Sequence, residues 1–138
     1  MRRTAFAPAL ALALASAAAP AFAQADMLTA PRLACVAQSV TRCSAKGKCA
    51  TQPASAKDRA EILVVDFRLK TARVRRKGAM RPFAEIVSER VEGGERRFVL
   101  EEVGSNTRID VAVSKSGRLT LAIGRDGDGA VAACTAAS

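Results

Sequence analysis

Between residues 62 and 123 the chain repeats a single pattern, and nothing else in it restricts the fold as tightly. Short runs of alternating apolar and polar side chains are broken by turn residues about every 8 to 12 positions. Leu63, Val65, Phe67 and Leu69 alternate with Val64, Asp66, Arg68 and Lys70, the period of two that a strand with one buried face requires. At Lys70-Thr71 the parity reverses, so that Ala72 and Val74 become the inward positions and Arg73 and Arg75 the outward ones. A one-residue shift turns every side chain over, which demands a tight turn or a bulge there. Gly78 marks the next turn. Glu92-Gly93-Gly94-Glu95 is a hairpin signal that leads into an alternating run carrying Phe98 and Leu100. Gly104-Ser105-Asn106, Ser114 to Gly117 and Arg125 to Gly129 are further turns. Between them, Ile109, Val111 and Val113, then Leu119, Leu121 and Ile123, line one face of successive strands.

Phe83 to Val91 fits two periods. Phe83, Glu85, Val87, Glu89 and Val91 alternate apolar with acidic on one parity, compatible with a strand, while Phe83, Ile86, Val87 and Val91 also make a helical stripe. The hairpin signal directly after it decides for strand. The predicted class is therefore all-β, with six or seven short strands in a small antiparallel meander. Closure into a barrel would remove the two raw edges of such a sheet; a two-sheet sandwich is the alternative.

Cys35, Cys43, Cys49 and Cys134 are the only cysteines. An even count in a small exported chain reads as two disulfides, with three possible connectivities. Cys43 with Cys49 would make a local clip around Ser44-Ala45-Lys46-Gly47-Lys48, and Cys35 with Cys134 would tie the first ordered segment to the last. The second bridge would close a long loop, with about 4 kcal/mol of stabilisation on chain-entropy grounds. A metal site does not fit, because there is no Cys-x-x-Cys pair and no histidine.

Export is expected from the other end of the chain. Arg2 and Arg3 precede the uncharged Ala/Leu stretch Ala5 to Ala19, and Ala21-Phe22-Ala23 is a small-x-small cleavage site. The stretch is shorter than the roughly 20 residues of a spanning helix. Residues 1–23 thus read as a cleavable signal, and the remainder as a protein that does not span a membrane and works in the periplasm or is secreted. Residues 24–58 are poor in large apolar groups and read as a loop-rich, cysteine-bearing segment held down by the disulfides, with Gln52 to Lys57 a polar connector. Residues 59–138 form the antiparallel β part of the same single domain.

The composition excludes much chemistry. Without histidine there is no Ser-His-Asp or Cys-His arrangement, and few ways to hold a transition metal. Glu85, Glu89, Glu101 and Glu102 could in principle supply an acid–base pair, but they read as solvent-facing strand residues paired with Arg90, Arg96 and Arg97. With no Trp or Tyr anywhere, sugar or nucleobase stacking lacks its main anchor, so neither a lectin nor a nucleic-acid role is expected. Arg125-Asp126-Gly127-Asp128-Gly129 resembles the start of a calcium loop but lacks the later ligands, and reads as a hairpin turn. No catalytic residue, metal or cofactor is predicted.

What stands out is charge. The formal net charge is +9, and Arg68, Lys70, Arg73, Arg75, Arg76, Lys77 and Arg81 follow one another with no acid between Asp66 and Glu85. Such a run is either a solvated strand face or a patch for an anionic partner: lipid head groups, acidic polysaccharide or an acidic envelope protein. The reading is a non-enzymatic exported β module that binds such a partner.

The cysteines near the start, the Val65-Asp66-Phe67 strand, the Ser116-Gly117-Arg118-Leu119-Thr120 turn and strand, and the cysteine just before the end together resemble small exported bacterial proteins of unassigned function. In outline the chain is also similar to periplasmic inhibitors of C-type lysozyme, small β-barrels with a disulfide near the ends. That resemblance implies, as the alternative function, an inhibitor that plugs the cleft of an extracellular hydrolase. The family's Tyr-containing strands and inhibitory loop have no counterpart here, and a basic protein repels a cationic lysozyme, so no functional residue is carried over.

Overall fold

The computed structural model describes residues 26–137. The signal expected over residues 1–23 lies outside the described residues. Nine strands form within them: β1 (Arg32–Cys43), β2 (Cys49–Pro53), β3 (Ile62–Asp66), β4 (Thr71–Arg76), β5 (Ala79–Glu92), β6 (Glu95–Glu102), β7 (Arg108–Ser114), β8 (Arg118–Ile123) and β9 (Asp128–Ala137), with one short helix, α1 (Ala56–Ala60). From β3 to β9 each strand pairs antiparallel with the next, and β1 pairs with both β3 and β9. Eight strands thereby close into a barrel, which leaves no edge among them for another chain to extend. The two disulfides are Cys35–Cys134 and Cys43–Cys49. The first joins directly opposed residues across the β1–β9 seam, and its half-cystines are buried in the barrel wall.

The segment expected to be loop-rich carries two strands, β1 and β2, joined by the loop of the local disulfide. β1 is twelve residues long and shares one edge between two partners: Arg32–Val36 pairs with β3, and Ser39–Cys43 with β2. Gln38 is an extra residue opposite β9 at this changeover, and its carbonyl accepts the Ala54 N–H. Few large side chains were visible there because β1 buries mainly Leu33 and Cys35, and its ladder bonds on both edges do not depend on side-chain bulk. The polar connector over Gln52 to Lys57 is the end of β2 and the start of α1. Ser55 and Asp58 close a reciprocal cap on this helix, each side chain accepting the other's backbone N–H.

The interior is built from the predicted parities of β4 and β6 to β8: Ala72, Phe98, Leu100, Ile109, Val111, Val113 and Leu119 are all buried, with Leu33, Val65, Phe67, Ala84 and Ile86. Leu69 departs from the pattern and is 62% exposed. β3 stops at Asp66 because its carboxylate accepts the backbone N–H groups of Arg68 and Leu69, which turns the chain before Leu69 can face inward. Ile123, at the opposite end of the barrel, is also exposed.

β5 is a strand, and its double periodicity has a physical source. Phe83 is an extra residue opposite β4, and Val87 an extra residue opposite β6. Ala84 and Ile86 face inward before the second bulge; beyond it, Glu89 lies opposite Phe98 and Val91 opposite Arg96. Each bulge shifts the inward parity, which is why no single period of two runs through the segment; of the apolar stripe, Phe83 and Val87 are the bulge residues themselves.

Residues 26–31 cover one end of the barrel. Arg96, buried on β6, donates from Nη1 to the carbonyls of Ala30 (2.6 Å) and Met27 (3.4 Å), and from Nε and Nη2 to Glu89 Oε1. Its guanidinium lies 3.3 Å from the centroid of the Phe67 ring, which packs edge-on against Phe98.

Candidate anion-binding face

The basic run begins in the β3–β4 turn. Asp66 anchors this turn, accepting also from Arg32 Nη2 at 3.2 Å. The Leu69 N–H, opposed by burial and helped by Arg32 and the Arg68 N–H, holds the Asp66 carboxyl below its ordinary pKa. Arg68 and Lys70 are thereby fixed in an exposed turn, Lys70 with the left-handed φ of 54° that reverses the chain. The Lys70 carbonyl accepts the Ile86 N–H, next to the Val87 bulge.

Along β4, Ala72 is buried and Val74 half-buried, while Arg73 and Arg75 are exposed on the outer face, roughly 7 Å apart as second neighbours in a strand. Lys77 is at the tip of the β4–β5 hairpin, again with positive φ. The structure does not place all seven cations on one surface. Arg68 and Lys70 are at the end of β4 covered by residues 26–31, and Arg76, Lys77 and Arg81 at the other. Arg81 is opposite Val74, on the inward-facing side of the ribbon at the barrel rim, and Arg76 pairs with Glu61 at 2.8 Å. Among the described residues the other six, Arg68, Lys70, Arg73, Arg75, Lys77 and Arg81, form no ion pair.

The register shows what surrounds the two central arginines. Thr135, Ala34, Val64, Arg73 and Pro82 form one outer row across β9, β1, β3, β4 and β5; Ala133, Val36, Ile62, Arg75 and Met80 form the next. Each arginine is flanked on both sides by apolar side chains, and neither row holds an acid. Met80 is 41% exposed. The row nearer the covered end is different in kind, running Arg32, Asp66, Thr71 and Glu85.

The four glutamates do not converge on an acid–base site. Glu89 is bound to Arg96, Glu85 is opposite Glu101, and Arg90 and Arg97 pair with Glu92 and Glu95 on their own strands. A groove of about 460 Å³ runs over the outside of β5 to β8 between Arg90, Arg97 and Arg108, but each of these arginines is paired with an acid two residues away on its own strand. The Arg125 to Gly129 segment is a turn that serves the local disulfide. Asp128 accepts the Cys43 N–H at 2.7 Å, and a side chain at Gly127, whose φ is 85°, would collide with Cys43 Sγ. No group of three or more potential metal ligands occurs among the described residues, and no described helix is long and apolar enough to cross a membrane.

Arg96 pairs with a glutamate, as the sequence suggests, but it is buried rather than on a solvent-facing strand surface. It shares the parity of Phe98 and Leu100, which was the available signal that it faces inward. Compared with known proteins, the chain matches no family model, no curated protein and no solved structure.

Proposed function

We propose that this chain is a non-enzymatic binding module of the periplasm or extracellular space, and that the outer face of β3, β4 and β5 holds a polyanionic partner. The observation that carries this reading is the placement of Arg73 and Arg75 on the outer face of β4, in two adjacent rows that hold no acid and with no ion pair of their own among the described residues. Proteins commonly interleave surface charges of both signs, so two neighbouring arginines in rows without an acid are free to neutralise something else. Two disulfides in a small barrel point to an oxidising compartment, where membrane phosphates and acidic polymers are accessible.

The test is retention on immobilised dextran sulfate and on anionic vesicles across a salt series. Binding should fall steeply with salt. Reversing Arg73 and Arg75 to Glu should weaken it about thirtyfold or more, at about 1 kcal/mol for each basic residue lost at an anionic surface. Reversing Lys46 and Lys48, exposed in the loop clipped by Cys43–Cys49, makes the same change in net charge and should have a far smaller effect. Equal effects of the two reversals, or binding indifferent to salt, would reject the reading.

A further inference from the structure

We infer that the partner of this face is the surface of an anionic phospholipid bilayer, engaged side-on, with the arginines at the phosphates and the neighbouring apolar side chains entering the interfacial layer. This rests on the proposed function and narrows it.

Three observations favour lipid over other polyanions. The first is the apolar setting of the charge. Arg75 lies between Ile62 and Met80, Arg73 between Val64 and Pro82, and Leu69 is exposed between Arg68 and Lys70. A sulfated or carboxylated polysaccharide gains nothing from aliphatic surface, and the chain has no Trp or Tyr to stack on sugar rings. At a bilayer the same arrangement is productive, because apolar groups bury at the acyl boundary while arginine stems lie along them and keep their charge among the head groups.

The second is shape. On and beside β4, cations without an ion pair among the described residues run from Lys70 through Arg73 and Arg75 to Lys77, a span of roughly 20 Å for a six-residue strand and its flanking turns. They lie on the outer wall of a barrel, while the groove over β5 to β8 is bordered by arginines already paired. A shaped protein partner would be recognised through a concavity or a central pocket, whereas distributed charge on a convex wall suits a broad, diffuse anionic plane. The third is that a second copy of the chain fits poorly. Isologous packing through this face would press Arg73 and Arg75 against their own counterparts with no acid in either row.

The chain contains no Trp, so Met80→Trp places a lone indole beside Arg75. Its emission should shift to the blue and be quenched by brominated acyl chains on phosphatidylcholine vesicles containing phosphatidylglycerol, and should stay unchanged with dextran sulfate. A double substitution, Leu69→Gln with Met80→Gln, leaves net charge unaltered at two exposed positions. It should weaken vesicle binding by about tenfold while dextran sulfate retention persists. Vesicle binding with an unshifted indole, or vesicle binding by the Gln variant equal to wild type, would overturn the bilayer inference and leave the proposed function standing. So would retention on dextran sulfate without vesicle binding, which would point to an acidic polymer or protein. Failure to bind either ligand would overturn the proposed function itself.

Discussion

Arg96 occupies a position where the alternation of β6 puts a core side chain, and it is tolerated there because each side of its guanidinium has a partner: two backbone carbonyls of residues 26–31, the Glu89 carboxylate and the Phe67 ring. Truncation would strand these groups. We expect Arg96→Met to cost about 3 kcal/mol, measured as a lower urea midpoint, and to speed hydrogen exchange over residues 26–31. A variant as stable as wild type would contradict this account of the covered end. Asp66 is a second residue whose worth depends on its surroundings. Its carboxyl titrates below the ordinary value in the folded chain, so the stabilisation is complete above the unfolded aspartate pKa of about 3.9. It drains away as pH falls through the lower folded value. Urea midpoints should therefore drop below about pH 4 in wild type, and with a shallower slope in Asp66→Asn, which keeps the acceptor but cannot titrate. Equal slopes would mean that other carboxylates dominate.

At the scale of elements, legibility followed the size of side chains. β6, β7 and β8 were readable because Phe98, Leu100, Ile109, Val111, Val113 and Leu119 recur at a clean period of two between glycine-bearing turns. β1 was not, since Ala34, Val36, Ala37 and Ser39 offer little contrast between faces and its order comes from backbone bonds to three partners. β5 was readable as a strand but not in its facing, because each bulge resets the alternation. The candidate face divides in the same way. Arg73 and Arg75 could be assigned outward from β4 alone. Their apolar neighbours Ile62, Val64, Met80 and Pro82 come from flanking strands, and only the register, which composition does not encode, brings them together.

For the whole molecule the decisive contact is the β1–β9 seam, where Cys35 meets Cys134 across a sequence separation of 99. Replacing both by Ser should cost about 4 to 5 kcal/mol on loop-closure grounds, against about 2 for Cys43 and Cys49, whose separation is 6. Thermal midpoints of the two double variants would show it, and a reversed ranking would place the main restraint in the β1–β2 hairpin. The seam also orders events in time. A chain that emerges N-terminus first presents β1 long before its last partner exists, so the Cys43–Cys49 clip can oxidise early while the Cys35 thiol must wait until Cys134 is made. Throughout that interval its accessible sulfur neighbours are the wrong ones, and a thiol–disulfide isomerase should raise the yield of correctly joined protein more than an oxidant alone.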